Sequence, residues 1–342
     1  MAVVTVDIGV FAHDEAQGIA AMVAELARQD ILLHPGIDAR ILILANGCTD
    51  ATVERASAAC AALGARIEVV ELAEGGKSRT WNAFVHILSR PGAQVLVFCD
   101  ADIEMPAADS LSRLVAGLLA RPGLRVFNSR PVKDITYRPE GLGVLDRMIA
   151  MAGGTLNDWR TAICGQLYAM PAAQARNLHL PIGLPVEDGF LRAMVLTDAL
   201  TLPEDLTRID GDPELIHLYA SERGILPLIR HQTRIVIGSA LNEACFAHLR
   251  QIPAQDRRVE LAQSAQDEDW LAQIARAGLP RAPFGYVPLH FLTKRVINLS
   301  RSSRDLLHPR RLFVLFAGFC FDFIVYINAQ IRMARGVGSG HW

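Results

Sequence analysis

The chain has 342 residues, 51% hydrophobic and 20% charged, with a formal charge of -2 at pH 7. That composition supplies a large core and excludes a disordered, collagen-like or small disulfide-stapled chain, while the near-neutral charge leaves no chain-wide basic field for nucleic acid. A mean hydropathy of +0.23 is high for a freely soluble enzyme and points to a membrane surface as a partner.

Short apolar runs alternate with longer helical patterns over the first 130 residues, the signature of βαβ units and a parallel sheet. Strands are expected at 6–12, 39–46, 65–72, 94–100 and 124–128, and helices at 15–29, 52–63, 78–89 and 107–120. In the first helix Ile19, Met22, Val23 and Leu26 recur at spacings of three and four, which makes one apolar face for the sheet. From 137 to 212 glycines and prolines punctuate a mixed pattern, read as long active-site loops, with pocket selectivity assigned to the loops between Lys133 and Gln166. The expected organisation is an α/β domain over 1–240 and a mainly helical region over 241–342.

The charge is unevenly placed. From Lys294 onward eight basic residues stand against Asp305 and Asp322, giving +6 and leaving -8 to the first 293 residues. The segment 312–327 is apolar except for Asp322 and has arginines at both ends. Sixteen helical residues reach about 24 Å, short of a hydrocarbon core of about 30 Å, and a central charge costs about 2.5 to 3.5 kcal/mol on insertion, so a full span is not expected. Two readings remain: a buried helix or dimer face, and an interfacial helix with basic flanks. The six cysteines form no Cys-x-x-Cys pair and read as reduced thiols. With an N-terminus that meets Asp7 before an apolar run develops, the expected location is cytoplasmic, peripheral at a membrane face.

The sharpest motif is Val95-Leu96-Val97-Phe98-Cys99-Asp100-Ala101-Asp102. An apolar run of parallel-strand character ends in two carboxylates, where parallel sheets bind ligands, and period-two alternation puts Asp100 and Asp102 on one side if the strand continues through them. Two hard oxygen ligands suit Mg²⁺ or Mn²⁺, with substrate phosphates completing the shell. The bland alternative is an Asp-capped strand-to-helix turn. Gly75-Gly76-Lys77-Ser78 lacks the first glycine of a P-loop, and lone histidines such as His217 read as satisfied core or surface groups.

Several short segments, in this order, resemble the family 2 glycosyltransferases, inverting enzymes of the GT-A fold. His13-Asp14-Glu15 is similar to the family's Asn-Glu, with Asp14 in place of Asn. Asn46-Gly47-Cys48-Thr49-Asp50 resembles Asn-Gly-Ser-Thr-Asp; Gly76-Lys77 with Asn82 resembles Gly-Lys and its downstream Asn; Asp100-Ala101-Asp102 stands at the metal-binding Asp-x-Asp. Gly165 to Met170 resembles Gly-x-x-Tyr-Ala, and Glu187-Asp188 the Glu-Asp base motif. His231-Gln232-Thr233-Arg234-Ile235 resembles the Gln-x-x-Arg-Trp of processive members, with His for Gln and Ile for Trp, and the lost aromatic argues against polymer extension.

The resemblance implies a Rossmann-like domain with a mainly parallel sheet, taking a nucleoside diphosphate sugar, most often a UDP-sugar, and a saccharide or lipid-linked acceptor. Donor binding falls to Asp14, Glu15, Asn46, Asp50, Lys77, Asn82, Asp100 and Arg234, metal binding to Asp100 and Asp102, and acceptor binding to Gly165 and His231. Asp188 becomes the general base, with Glu187 as its partner. From the residues alone, Asp50 also reads as a helix cap, Lys77 as a solvated lysine, Asn82 as part of a polar face, Glu187-Asp188 as carboxylates drawn to a helix N-terminus, and Arg234 as a cap. Other functions weighed are nucleotidyltransfer, which wants a basic Gly-rich loop where 11–15 is acidic, and a non-catalytic nucleotide-sugar-binding scaffold attached to a membrane.

Overall fold

The structure is a computed structural model that describes residues 3–64, 66–140, 158–222, 224–280, 286–293, 297 and 309–336. Ala65, the residues 141–157 within the expected selectivity loops, and the basic residues Lys294, Arg295, Arg301 and Arg304 lie outside the described residues. The elements run β1 (Val4–Ala12), α1 (Ile19–Ala27), β2 (Ile37–Asn46), α2 (Thr52–Leu63), β3 (Ile67–Leu72), α3 (Lys77–Ala83) and β4 (Val95–Asp100). There follow β5 (Ile103–Glu104), α4 (Ser110–Leu119), β6 (Val126–Lys133), β7 (Leu167–Pro171), α5 (Glu187–Thr197), β8 (Ile209–Tyr219), α6 (Ile225–Gln251), α7 (Arg257–Ser264), α8 (Trp270–Gly278) and α9 (Pro309–Ala334).

Eight strands form one mixed sheet in the order β3-β2-β1-β4-β7-β6-β8-β5. The half β3-β2-β1-β4 is parallel, β7 runs antiparallel between β4 and β6, and β8 is parallel to β6. Both faces of the parallel half are covered, which is why its strands read as continuous apolar runs. Val6, Ile8 and Val10 meet Ile19, Val23 and Leu26 of α1 on one face, while Leu42, Leu96 and Phe98 meet Trp81, Phe84 and Phe190 on the other.

α1 begins at Ile19, four residues later than expected. The preceding turn is held open by Asp14 at φ +54 and by the Asp50 carboxylate, which accepts from the Ala16 amide at 3.0 Å. β7 and β8 were not anticipated within 137–212. β8 carries Gly211 and Pro213 and a register irregularity opposite Ser129/Arg130, so long-range pairing with β6 overrides poor strand propensity. The expected division at residue 240 falls inside α6, and Ile237, Leu241 and Cys245 of that helix share an apolar cluster with Phe98 and Phe190.

Within the second cluster Trp81, Phe98 and Tyr168 stack at 5.6 and 4.7 Å, and the Trp81 indole donates to the Tyr168 hydroxyl at 3.0 Å. Phe84 stands edge-on to Phe98 and lies against Gly9, where a Cβ would meet its ring at 3.0 Å. Gly9→Ala is therefore expected to push the α3 segment off β1 and lower stability by about 1–3 kcal/mol, read from the denaturant midpoint.

Candidate active site

The carboxyl ends of β1, β2 and β4, the β7 approach and the start of α5 converge on Lys77, the first residue of α3. Its ammonium donates to Asp100 Oδ2 at 2.8 Å and to the Gly165 carbonyl at 3.0 Å, and pairs with Glu187 Oε1 at 3.3 Å, so all three N–H groups are engaged. Asp100 is itself fixed from behind, its amide donating to the Gln166 carbonyl at 2.8 Å. Gly165 has φ +69, and a Cβ there would lie 3.3 Å from Cβ of Asp188 and 3.5 Å from its Oδ2. Glycine thus satisfies the left-handed backbone and leaves space in front of the carboxylate.

This arrangement perturbs the titrating groups. Burial opposes charge on Lys77, yet Asp100 and Glu187, with Asp188 behind them, hold its proton more tightly than in an ordinary lysine. Burial pushes the Asp100 carboxyl up to about 7 against the pull of Lys77, and Asp102 adds repulsion. Burial and the neighbouring Glu187 raise Asp188 to about 6, while the Gly189 amide, bound at 2.7 Å to Oδ1, and the charges of Lys77 and Arg234 pull the other way. Oδ2 of Asp188 remains without a hydrogen-bond donor among the described residues.

The start of α5 is positioned by α6. Gly238 lets the Val186 side chain approach so closely that a Cβ would lie 2.8 Å from Val186 Cβ, and Asn242 donates to the Val186 carbonyl at 2.9 Å. Asn242, which no motif in the sequence singles out, stands one helical turn after Gly238 on α6. Arg234, also on α6, has a buried Nε with no partner and forms no ion pair among the described residues. His231 lies 3.6 Å from Glu222; burial, then the Arg234 charge, lowers its pKa.

On the opposite side of Lys77, Asn46 donates to the Ala12 carbonyl at 3.0 Å and accepts from the Gly76 amide at 3.1 Å, tying together the ends of β1, β2 and the loop before α3. Asp14 accepts from the Thr49 amide at 2.6 Å, which holds its carboxyl below the usual range. The Thr52 hydroxyl does the same for Asp50, which also accepts from the Thr52 and Ala16 amides; the N-cap of α2 is Ala51, so Asp50 stands one residue before the cap position expected of it. Asn82 lies away from this edge: its amide exchanges two hydrogen bonds with Leu180, at 2.7 and 3.0 Å, and so anchors the loop before α5.

The strand stops at Asp100, and Ala101-Asp102 form a turn, so alternation along a continuous strand does not set the side on which Asp102 lies. Asp102 is exposed and still raises the Asp100 carboxyl; burial, then Asp102 and Asp50, also raise Glu15. An edge with this excess of hard, mutually repelling oxygens over nearby cations fits a divalent ion such as Mg²⁺ or Mn²⁺. Among the described residues the one group of three side chains with ligand atoms within 4.8 Å of one another is His13, Asp14 and Cys48. An ion at Asp100 and Asp102 would therefore draw its other ligands from water or substrate.

Residues 7–140 match the family model described as glycosyl transferase family 2. That segment is a family 2 glycosyltransferase domain. It contains the Asp14, Lys77, Asp100 and Asp102 positions, whereas Gly165, Glu187, Asp188, His231 and Arg234 lie beyond it. The chain is similar to the mannosyltransferase PcManGT from Pyrobaculum calidifontis, solved with GDP-Man and Mn²⁺: 16% identity, 95% of this chain and 86% of that one, TM-score 0.53. It is also similar to glucosyl-3-phosphoglycerate synthase from Mycobacterium tuberculosis, solved with Mg²⁺ and UDP: 20% identity, 70% and 77% coverage, TM-score 0.44. The first likeness identifies the GT-A fold. No curated protein gives a significant match.

Because Asp188 binds its proton more tightly folded than unfolded, ionising it weakens the fold as pH rises from the model-peptide value of 3.8 through about 6. Asp188→Asn is expected to stabilise the glycosyltransferase by about 1 kcal/mol at about pH 8 and to leave stability unchanged below about pH 4, in denaturant titrations at the two pH values. Gly238→Ala should have the opposite sign, losing about 1–3 kcal/mol as Val186 is displaced.

Proposed function

We propose that the glycosyltransferase moves a sugar from a nucleoside diphosphate sugar, a UDP-sugar being the first candidate, to a hydroxyl of a saccharide or lipid-linked acceptor, with inversion and with a divalent ion. The observation that carries this reading is Asp188: a carboxylate titrating at about 6, with Oδ2 free of hydrogen-bond donors among the described residues, beside the one-residue gap left by Gly165. A base with that affinity is ionised at neutral pH yet binds a proton more strongly than an exposed aspartate.

In this reading the acceptor hydroxyl gives its proton to Asp188 Oδ2 as its oxygen bonds to the anomeric carbon. The bond from that carbon to the diphosphate breaks on the opposite face, and the electron pair leaves with the diphosphate, which accounts for inversion. Lys77 and Arg234 offset the charge of the departing group, and the buried, unpaired Nε of Arg234 is a donor available for a phosphate oxygen. Asp100 and Asp102 would hold the ion, whose chemistry is to neutralise the diphosphate. Asp14, Glu15 and Asp50, at the ends of β1 and β2, are assigned to base and ribose, Asn46 to shaping that edge, and Glu187 to holding Lys77. Gly165 and His231 border the acceptor side; Asn82, bound to Leu180, supports this edge from a distance.

The test is purified protein with Mn²⁺ and a panel of nucleoside diphosphate sugars and acceptors. Free nucleoside diphosphate with a product of inverted anomeric configuration is expected; pyrophosphate would replace this reading with nucleotidyltransfer. Asp188→Asn should lower turnover by about 100-fold or more while donor affinity stays within about twofold, and wild-type kcat/KM should rise with pH through about 6 before levelling. Unchanged turnover in Asp188→Asn would remove the base assignment.

A further inference from the structure

α9 packs on α6 and buries Val325, Tyr326, Ala329 and Met333, and Tyr326 and Gln330 both donate to the Val287 carbonyl, at 2.9 and 2.8 Å. Its other side is open: Phe316, Phe319, Phe323, Ile324, Ile327 and Ile331 are between 37% and 66% exposed. At 3.6 residues per turn these six fall in one stripe about 22 Å long. Asp322, whose central charge argues against insertion in sequence, falls by the same helical count on the side of Ala329 and Met333, and it has an interaction partner. Among the described residues no helix is long and apolar enough to cross a membrane.

The charges choose the occupant. In sequence Arg310 and Arg311 stand in the first turn of the helix and Arg335 follows its last residue, so both ends are basic. Two copies meeting along the stripe would set arginines against arginines whether they ran parallel or antiparallel. An anionic surface complements both ends at once, and an apolar stripe between basic ends is the pattern of a helix lying in a lipid interface. We propose that α9 docks this chain on an anionic lipid membrane, in the plane of the interface, with the Phe316 to Ile331 stripe inserted below the headgroups and the basic ends of the helix at the headgroup level.

The full chain is tested by co-sedimentation with vesicles of phosphatidylcholine alone or with about one third phosphatidylglycerol. Binding to the anionic vesicles, weakened by salt and at least about tenfold stronger than to neutral ones, is expected. Replacing Phe316, Phe323 and Ile327 together by Ser should reduce it about tenfold or more without lowering the unfolding midpoint, because all three are solvent-exposed. Cys320 is the exposed one of the six free cysteines and sits inside the stripe. A polarity-sensitive dye on it, with Cys320→Ser as the background control, should shift to the blue with anionic vesicles only. Equal binding to neutral vesicles, binding unchanged in the triple variant, a dye that does not respond, or a dimer that the triple variant dissolves would each overturn the proposal.

Discussion

A single ammonium inside a ring of carboxylates organises this molecule's working edge. Lys77 ties the parallel half of the sheet, through Asp100, to the β7 approach, through the Gly165 carbonyl, and to α5, through Glu187. Those pieces come from positions 77, 100, 165 and 187, so the interaction closes long loops, and the apolar stack of Trp81, Phe98 and Tyr168 directly behind it keeps the closure rigid. Burial strengthens each electrostatic contact and makes any unmatched charge costly. Burial first, and then repulsion from neighbouring carboxylates, raises the carboxyls of Asp100, Asp188 and Glu15.

Ionised carboxylates held this way weaken the fold until protons or a bound cation compensate them. Under the proposed function, the carboxylates at the ends of β1, β2 and β4 would be compensated by a bound divalent ion, and the charges of Lys77 and Arg234 would offset that of the diphosphate. On the proposed acceptor side, Asp188 Oδ2 has no hydrogen-bond donor among the described residues. Burial thus separates the roles of neighbouring acids: Asp100 is tied to a fixed cation, Asp102 is exposed, and Asp188 faces the gap left by a glycine.

Much of this was legible in sequence because parallel strands buried on both faces leave continuous apolar runs, and the polar residues at their carboxyl ends stand out against them. β1, β2 and β4, with Asp14, Asn46, Asp50, Asp100 and Asp102 at their ends, were visible for that reason. β8 was not, since Gly211 and Pro213 break its pattern and pairing with β6 alone makes it a strand. The Gly165 carbonyl on Lys77 and the Asn242 bond to Val186 were also hidden, because main-chain partners and contacts across 88 and 56 residues leave no local spacing. Asn82 was visible as a residue but not as an anchor for Leu180. In α9 the apolar composition was readable, whereas its division into an α6-facing side and an open side required the partner helix.

Under the proposed function this carboxylate-rich edge accepts a diphosphate only together with a divalent cation. Calorimetric titration of the nucleoside diphosphate released in the donor panel, with Mn²⁺ and again after chelation by EDTA, tests it most directly. The prediction is binding with Mn²⁺ that weakens by about 100-fold or more without it. Equal affinity under both conditions would contradict the claim.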